Sequence, residues 1–155
     1  MPTPLEALAG VANAAQPLPG LVTGGQPTEA HFKALKEAGV ELILDIRDPM
    51  EPRPFDEPAL AAKLGMEYVN VPVHGGTLTD ETIEKILAIL RGRGARSTLF
   101  HCASGNRVAG PMIAHLILDH GVSEEEAVQM GMRIGLRGAE ILQWGTDYAA
   151  RKKGA

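Results

Sequence analysis

A single α/β domain of three layers, with a central and mostly parallel sheet of four to five strands flanked by helices, is the fold class that the sequence predicts. Three short apolar runs carry this reading: ELILDI (41–46), MEYVNVPV (66–73) and STLFHC (97–102). Each has the length and composition of a buried parallel strand. Stretches of helical periodicity separate them, and strand–helix–strand alternation builds right-handed crossovers and a parallel sheet. At 155 residues, 45% apolar and 22% charged, the chain suits one domain with its own core.

Residues 1–20 are rich in Ala and Pro and read as a lead-in packed on the domain, with one short helix near 5–15; the domain proper is 21–155. After Gly24-Gly25-Gln26-Pro27, Thr28 caps a helix that ends at Gly39, with Phe32 and Leu35 on one face. The first strand follows, and four prolines between Pro49 and Pro58 make the next segment a loop. A short helix, 59–64, leads through Gly65 into the second strand, which His74-Gly75-Gly76 closes. Thr79 then caps a helix whose Ile83, Ile86, Leu87 and Leu90 recur at the spacing of one buried face, before Gly92 and Gly94 stop it. The third strand opens into a helix over about 107–119. Ser123-Glu124-Glu125-Glu126 has capping-box spacing and starts another, and a last helix covers 138–150. Met130, Met132 and Leu136 read as core, and Arg133 and Arg137 as solvated.

Composition excludes several classes of function. The net charge is −4, with no basic run before the short Arg151-Lys152-Lys153 tail, so no nucleic-acid partner is expected. No apolar run reaches the roughly 18 residues of a membrane span. The opening MPTPLEALAG has neither a basic start nor a continuous apolar stretch, so no signal peptide is expected. The single cysteine makes no intrachain disulfide, no Cys/His group has zinc spacing, and a reducing cytoplasm fits best.

In a parallel sheet, ligand sites gather beyond the carboxyl ends of the strands. Those ends are Asp45-Ile46-Arg47-Asp48, Val73-His74-Gly75-Gly76 and Cys102 to Arg107, so they should line one edge. The segment FHCASGNRVAG (100–110) places the lone cysteine between a strand and a helix. Backbone amides of Ala103, Ser104, Gly105, Asn106 and Arg107 can form a nest, and the helix start adds its positive end. Both favour a thiolate. Gly105 allows the turn, Arg107 supplies a planar two-pronged donor for an oxyanion, and His101 can orient the loop. A cysteine that merely packs as a small apolar residue would need none of these neighbours.

HCASGNR resembles the active-site loop of the cysteine-dependent phosphatases, of protein-tyrosine and dual-specificity type, and of the related rhodanese sulfurtransferases. LVTGGQPTEAHFKALKEAGVELILDIRDPME, then YVNVPVHGGTLTDETI, then the cysteine loop together resemble a bacterial family of small dual-specificity-phosphatase-like proteins. That family includes the phosphatase-like domain of the beta-lactamase-hydrolase-like proteins. The match runs in order from about Leu21 to Leu118. The resemblance implies a phosphatase-like α/β domain in which Cys102 attacks phosphorus to give a cysteinyl-phosphate, with Arg107 and the amides of 103–107 binding the phosphate oxygens. It implies no metal or organic cofactor, and a phosphorylated protein or small molecule as substrate.

Three departures bear on the reaction. Four residues, not the five of tyrosine and dual-specificity phosphatases, separate Cys102 from Arg107, a spacing also found in rhodaneses, whose loop carries a persulfide. Val108 stands where those phosphatases place Ser or Thr. The position of the general-acid aspartate falls on Gly75, which leaves His74 or Asp80 as acids. Arg47 would face the same crevice and pair with a substrate anion; the alternative is an ion pair tying the strand end to its loop. A sulfurtransferase and a non-catalytic phosphate-binding module therefore stand beside the phosphatase.

Overall fold

The computed structural model describes residues 2–154, and in them five strands form one sheet in the order β1-β2-β5-β3-β4. These are β1 (Ala15–Leu18), β2 (Leu21–Gly24), β3 (Val40–Asp45), β4 (Glu67–Asn70) and β5 (Ser97–His101). The β1–β2 hairpin is antiparallel and every other pairing is parallel. The helices are α1 (Pro4–Ala7), α2 (Glu29–Glu37), α3 (Glu57–Lys63), α4 (Asp80–Gly92), α5 (Asn106–His120), α6 (Glu124–Ile134) and α7 (Ala139–Lys153). The three-layer α/β class expected from the sequence is what the chain adopts. Among the described residues no helix is long and apolar enough to cross a membrane.

Strand side chains alternate between the faces of the sheet, and the core divides accordingly. Leu21, Leu44 and Phe100 point to one side, where α4, α5, α6 and α7 supply Ile86, Met112, Ile134 and Trp144. Val22, Ile43 and Leu99 point to the other and meet Leu8 at the end of α1, Phe32 and Leu35 of α2 and Ala61 of α3. Each fully buried Val, Leu, Ile, Phe or Met among them contributes roughly 1.5–3 kcal/mol relative to exposure. Helix α5 crosses α7 so closely that a Cβ on Gly145 would overlap the carbonyl oxygen of Gly110.

Thr28, Thr79 and Ser123 each cap the helix they were expected to start, accepting the amide three residues on. Four expectations need correction. The N-terminal helix is a single turn, because Gly10 and Asn13 take positive φ (90° and 56°) and Pro17 lies in a strand instead. Strands β1 and β2 were missed, since four residues between turns are too few to show periodicity. Helix α3 begins earlier than expected because Asp56 accepts the Ala59 amide and Pro58 fits the first turn. Met132 is 62% exposed on α6 and is not core.

The parallel register fixes the site. Gly24 pairs with His101, His101 with Asp45 and Asp45 with Asn70, so the carboxyl ends of β2, β5, β3 and β4 form one row.

Candidate active site

Cys102 is the first residue beyond β5, and α5 begins four residues later. Its Sγ accepts the Gly105 amide at 3.0 Å, and the residue is fully buried. Gly105 has φ 103°, and a Cβ there would overlap the carbonyl oxygen of Ile134, so only glycine closes this turn. The loop is held from outside on three sides. The Gln26 amide donates to the Ala103 carbonyl at 2.9 Å, and the Asn13 side-chain amide to the Ser104 carbonyl at 2.7 Å. Asn106 Oδ1 accepts the Arg137 amide at 2.8 Å, which ties the start of α5 to the α6–α7 connection.

Arg107 leaves the first turn of α5 and meets a partner that the sequence did not reveal. Its Nη1 donates to Glu51 Oε2 at 2.6 Å and its Nη2 to Glu51 Oε1 at 2.8 Å; Nη1 also reaches the Val73 carbonyl at 3.0 Å. The Glu51 hydrogen bonds hold Arg107 above its ordinary value against the cost of burial, and the nearby Cys102 sulfur acts in the same direction. The same bonds hold the Glu51 carboxyl below its ordinary 4.5, although burial opposes this.

These residues border an open cleft of about 640 Å³, lined by Asp48, Met50, Glu51, Pro52, His74, Asn106 and Arg107. His74 therefore shares the cleft with Arg107. Its Nδ1 accepts the Gly76 amide at 3.0 Å, which puts the ring proton on Nε2, 3.6 Å from Asp48 Oδ2. Asp80 lies elsewhere: it sits in the first turn of α4, ion-paired with Arg151, and does not line the cleft.

Arg47 does not face the crevice either. It is 1% exposed, and its Nε and Nη2 donate to the two oxygens of Asp45 at 3.0 and 2.7 Å, while Nη2 also reaches Glu57 at 2.9 Å. Two buried carboxylates outcompete the crevice for one guanidinium. Burial alone would raise the Asp45 carboxyl, but Arg47, His101 and Tyr68 together keep it below its ordinary 3.8. Burial and the hydrogen bond to Asp45 push the Tyr68 hydroxyl up to about 12. His101, also buried, bridges Glu57 and the Cys102 carbonyl, so it contacts the loop from behind.

Asp45, Glu57 and His101 bring three ligand-type atoms within 4.8 Å of one another, the one such group among the described residues. Arg47 already supplies the cation that this group neutralises. Sequence reasoning missed Glu51 and Glu57, both in or beside the proline-rich loop. The usable signal was electrostatic: Arg47 and Arg107, at strand and helix ends facing one edge, each needed a carboxylate, and that loop supplies two.

Comparison with known proteins gives a consistent picture. The family model PTP-NADK, described as a DSP-PTPase phosphatase fused to NAD+ kinase, matches residues 13–143. The beta-lactamase hydrolase-like proteins of Xylella fastidiosa (strain Temecula1) and Agrobacterium fabrum are 28% and 26% identical over 129 residues. That alignment covers 80% of this chain but 30% of each relative, so the chain spans less than a third of their length. Among solved structures, a DUF442 protein of Shewanella putrefaciens CN-32 superposes with a TM-score of 0.77 at 24% identity, covering 95% of this chain and 97% of the other. Tk-PTP gives 0.78 at 20% identity, with 92% and 97% covered. The catalytic core of the PP-IP phosphatase Siw14 of S. cerevisiae gives 0.76 at 18%, with 93% and 92% covered. At these identities the structures share the fold.

Proposed function

The chain belongs to the family of DSP-PTPase phosphatases described as fused to NAD+ kinase, and from that premise we propose that it hydrolyses phosphate monoesters through Cys102. One observation carries the reading: the Cys102 sulfur accepts the Gly105 amide at the head of α5, on the loop that bears Arg107. Amide and helix start both stabilise a thiolate. The sulfur attacks phosphorus, an S–P bond forms as the ester P–O bond breaks, and the leaving oxygen takes a proton. Water then cleaves the S–P bond and releases phosphate. Arg107 and the amides of 103–107 stabilise the charge on the transferring oxygens. His74 faces the cleft and is the acid in its imidazolium form, in which Nδ1 gives up the Gly76 amide and the Nε2 proton beside Asp48 passes to the leaving oxygen. Ser104 and Asn106 shape the loop, and no metal or organic cofactor enters a step.

The cleft also speaks to the substrate. It offers one arginine and one histidine against two acids, Asp48 and Glu51, and its remaining wall is Met50, Pro52 and Asn106. A polyphosphorylated substrate of the PP-IP kind would meet more negative than positive charge there. A single phosphate on an aryl or apolar group, such as phosphotyrosine or a small phosphorylated metabolite, fits better.

A second reading, a sulfurtransferase carrying a persulfide on Cys102, is favoured by the short loop and by Val108, which is buried in the core and offers no hydroxyl. The deciding experiment assays p-nitrophenyl phosphate hydrolysis with vanadate, and cyanide-dependent thiocyanate release from thiosulfate, each against Cys102→Ser. Vanadate-sensitive hydrolysis lost in the variant supports the phosphatase. Thiocyanate release alone overturns it in favour of the sulfurtransferase, and phosphate binding with neither turnover leaves a binding module.

A further inference from the structure

Behind the cysteine loop lies a closed set of four ionisable groups, Asp45, Arg47, Glu57 and His101, each exposed by 1% or less. Arg47 sits between the two carboxylates. On the far side of Glu57, His101 Nε2 is 2.9 Å from Glu57 Oε2 and 3.8 Å from Asp45 Oδ1. His101 Nδ1 is 3.0 Å from the Cys102 carbonyl oxygen. Both ring nitrogens therefore face oxygens that only accept. A neutral imidazole has one N–H, and would set a bare lone pair against an acceptor at its other nitrogen. The imidazolium satisfies both.

Charge balance leads to the same protonation. Two carboxylates against one guanidinium leave a buried excess of one negative charge, which the low-dielectric interior penalises heavily unless it is neutralised. The other groups that face the cluster do not remove that excess. Tyr68 donates to Asp45 at 2.5 Å and Gln26 to Glu57 Oε1 at 2.6 Å, both as neutral donors. Arg53 reaches Asp45 only at 3.7 Å from a side chain 26% exposed, where solvent screens it. Because Glu57 Oε1 already accepts from both Arg47 and Gln26, the carboxylate form is favoured and the shared proton stays on the ring.

We propose that Glu57 is a positioning residue for Cys102: it holds His101 as the doubly protonated imidazolium, and His101 in turn fixes the Cys102 carbonyl and sets a positive charge directly behind the nucleophile. The carbonyl matters because a trans peptide points its C=O and N–H in opposite directions. Anchoring the Cys102 oxygen on His101 thus fixes where the Ala103 amide points. The inference rests on Cys102 being the reactive group of the site, and its test does not depend on which reaction that group performs.

The test is alkylation of Cys102, the only cysteine, by iodoacetamide across pH in the wild type and in Glu57→Gln. The variant keeps the shape of Glu57 and removes its charge. Its alkylation near about pH 6 should slow by about tenfold, and converge with the wild type at alkaline pH where the thiol is ionised in both. With an aryl phosphate, kcat should fall while KM stays within about twofold, since Arg107 is untouched. A folded Glu57→Gln protein with an unshifted alkylation profile overturns the proposal. Should that variant not fold, ¹⁵N NMR of the wild-type histidines decides. Protons on both His101 nitrogens near neutral pH uphold the proposal, and a single-tautomer neutral ring overturns it. A wild type that turns over no phosphate ester, yet shows the alkylation shift, sinks the phosphatase and leaves the role of Glu57 standing.

Discussion

Glu51 and Arg107, 56 residues apart in sequence, form a two-pronged ion pair in which both terminal nitrogens of the arginine are taken, at 2.6 and 2.8 Å. A phosphate oxygen that needs the N–H bonds now given to Glu51 must displace the carboxylate, and Cys102 is fully buried. Glu51 is thus a resident competitor for the anion site. Glu51→Gln should tighten vanadate binding severalfold at neutral pH. The carboxyl is held below its ordinary 4.5 by Arg107, so the wild type keeps its pair above that value and loses it as pH falls through the depressed one. The advantage of the variant should therefore shrink on acidification, which isothermal titration at two pH values measures. Weaker vanadate binding by the variant at neutral pH would show that Glu51 orients the arginine rather than competing for it.

Arg107 pairs through a planar fork that an ammonium group cannot reproduce. Arg107→Lys keeps the charge, loses one of the two Glu51 contacts and misplaces the donor for a transferring phosphoryl group. Loss of a preorganised donor of this kind costs about 10²–10³ in kcat. Steady-state hydrolysis of an aryl phosphate checks it, with a melting curve to show that the variant folds.

Gly105 meets two constraints at once, a φ of 103° and the Ile134 carbonyl oxygen where a side chain would begin. Gly105→Ala must move the loop, and with it the amide that donates to Cys102 Sγ. A residue forced into such a conformation costs on the order of 1–3 kcal/mol. Melting should register that loss, and iodoacetamide should react more slowly with Cys102 near neutral pH once its amide donor is displaced.

How much of this was legible in the residues depends on the range of the interaction. Thr28, Thr79 and Ser123 announce their helices because a cap acts over three residues, and the buried face of α4 repeats every turn. The strand-to-helix junction at Cys102 was legible for the same reason. Glu51 was not, because its partner lies 56 residues away, nor was Glu57, which joins Arg47 and His101, 10 and 44 residues away; nothing local distinguishes an acid in a proline-rich loop that will turn inward. For Arg47 the second of the two readings, an ion pair tying the strand end to its loop, is the one adopted. Asp45 at the strand end and Glu57 beyond the loop hold the guanidinium under the sheet edge, and of these only Glu57 was unseen in the pattern. Strands β1 and β2 escaped because their pairing partners, rather than their four-residue sequences, make them strands.

Away from the site, His115 on α5 is 3% exposed, with Nδ1 2.7 Å from Asp119 Oδ2 and its ring edge-on to His120 at 4.8 Å between centroids. Burial lowers its proton affinity from the ordinary 6.5; Asp119 opposes this, while His120 and Arg91 reinforce it. The unfolded chain therefore binds a proton at this residue at a pH where the folded chain does not. Stability is highest above 6.5 as far as His115 is concerned, and falls as pH drops from 6.5 toward the folded-state value. Other histidines of the chain can titrate over the same range. The contribution of His115 is accordingly a difference between two proteins rather than a single melting profile. The melting temperature of the wild type should fall more steeply than that of His115→Gln between about pH 7.5 and about pH 5.5, whatever the absolute stability of either. Parallel slopes in the two proteins would mean that His115 takes up its proton without leaving the fold.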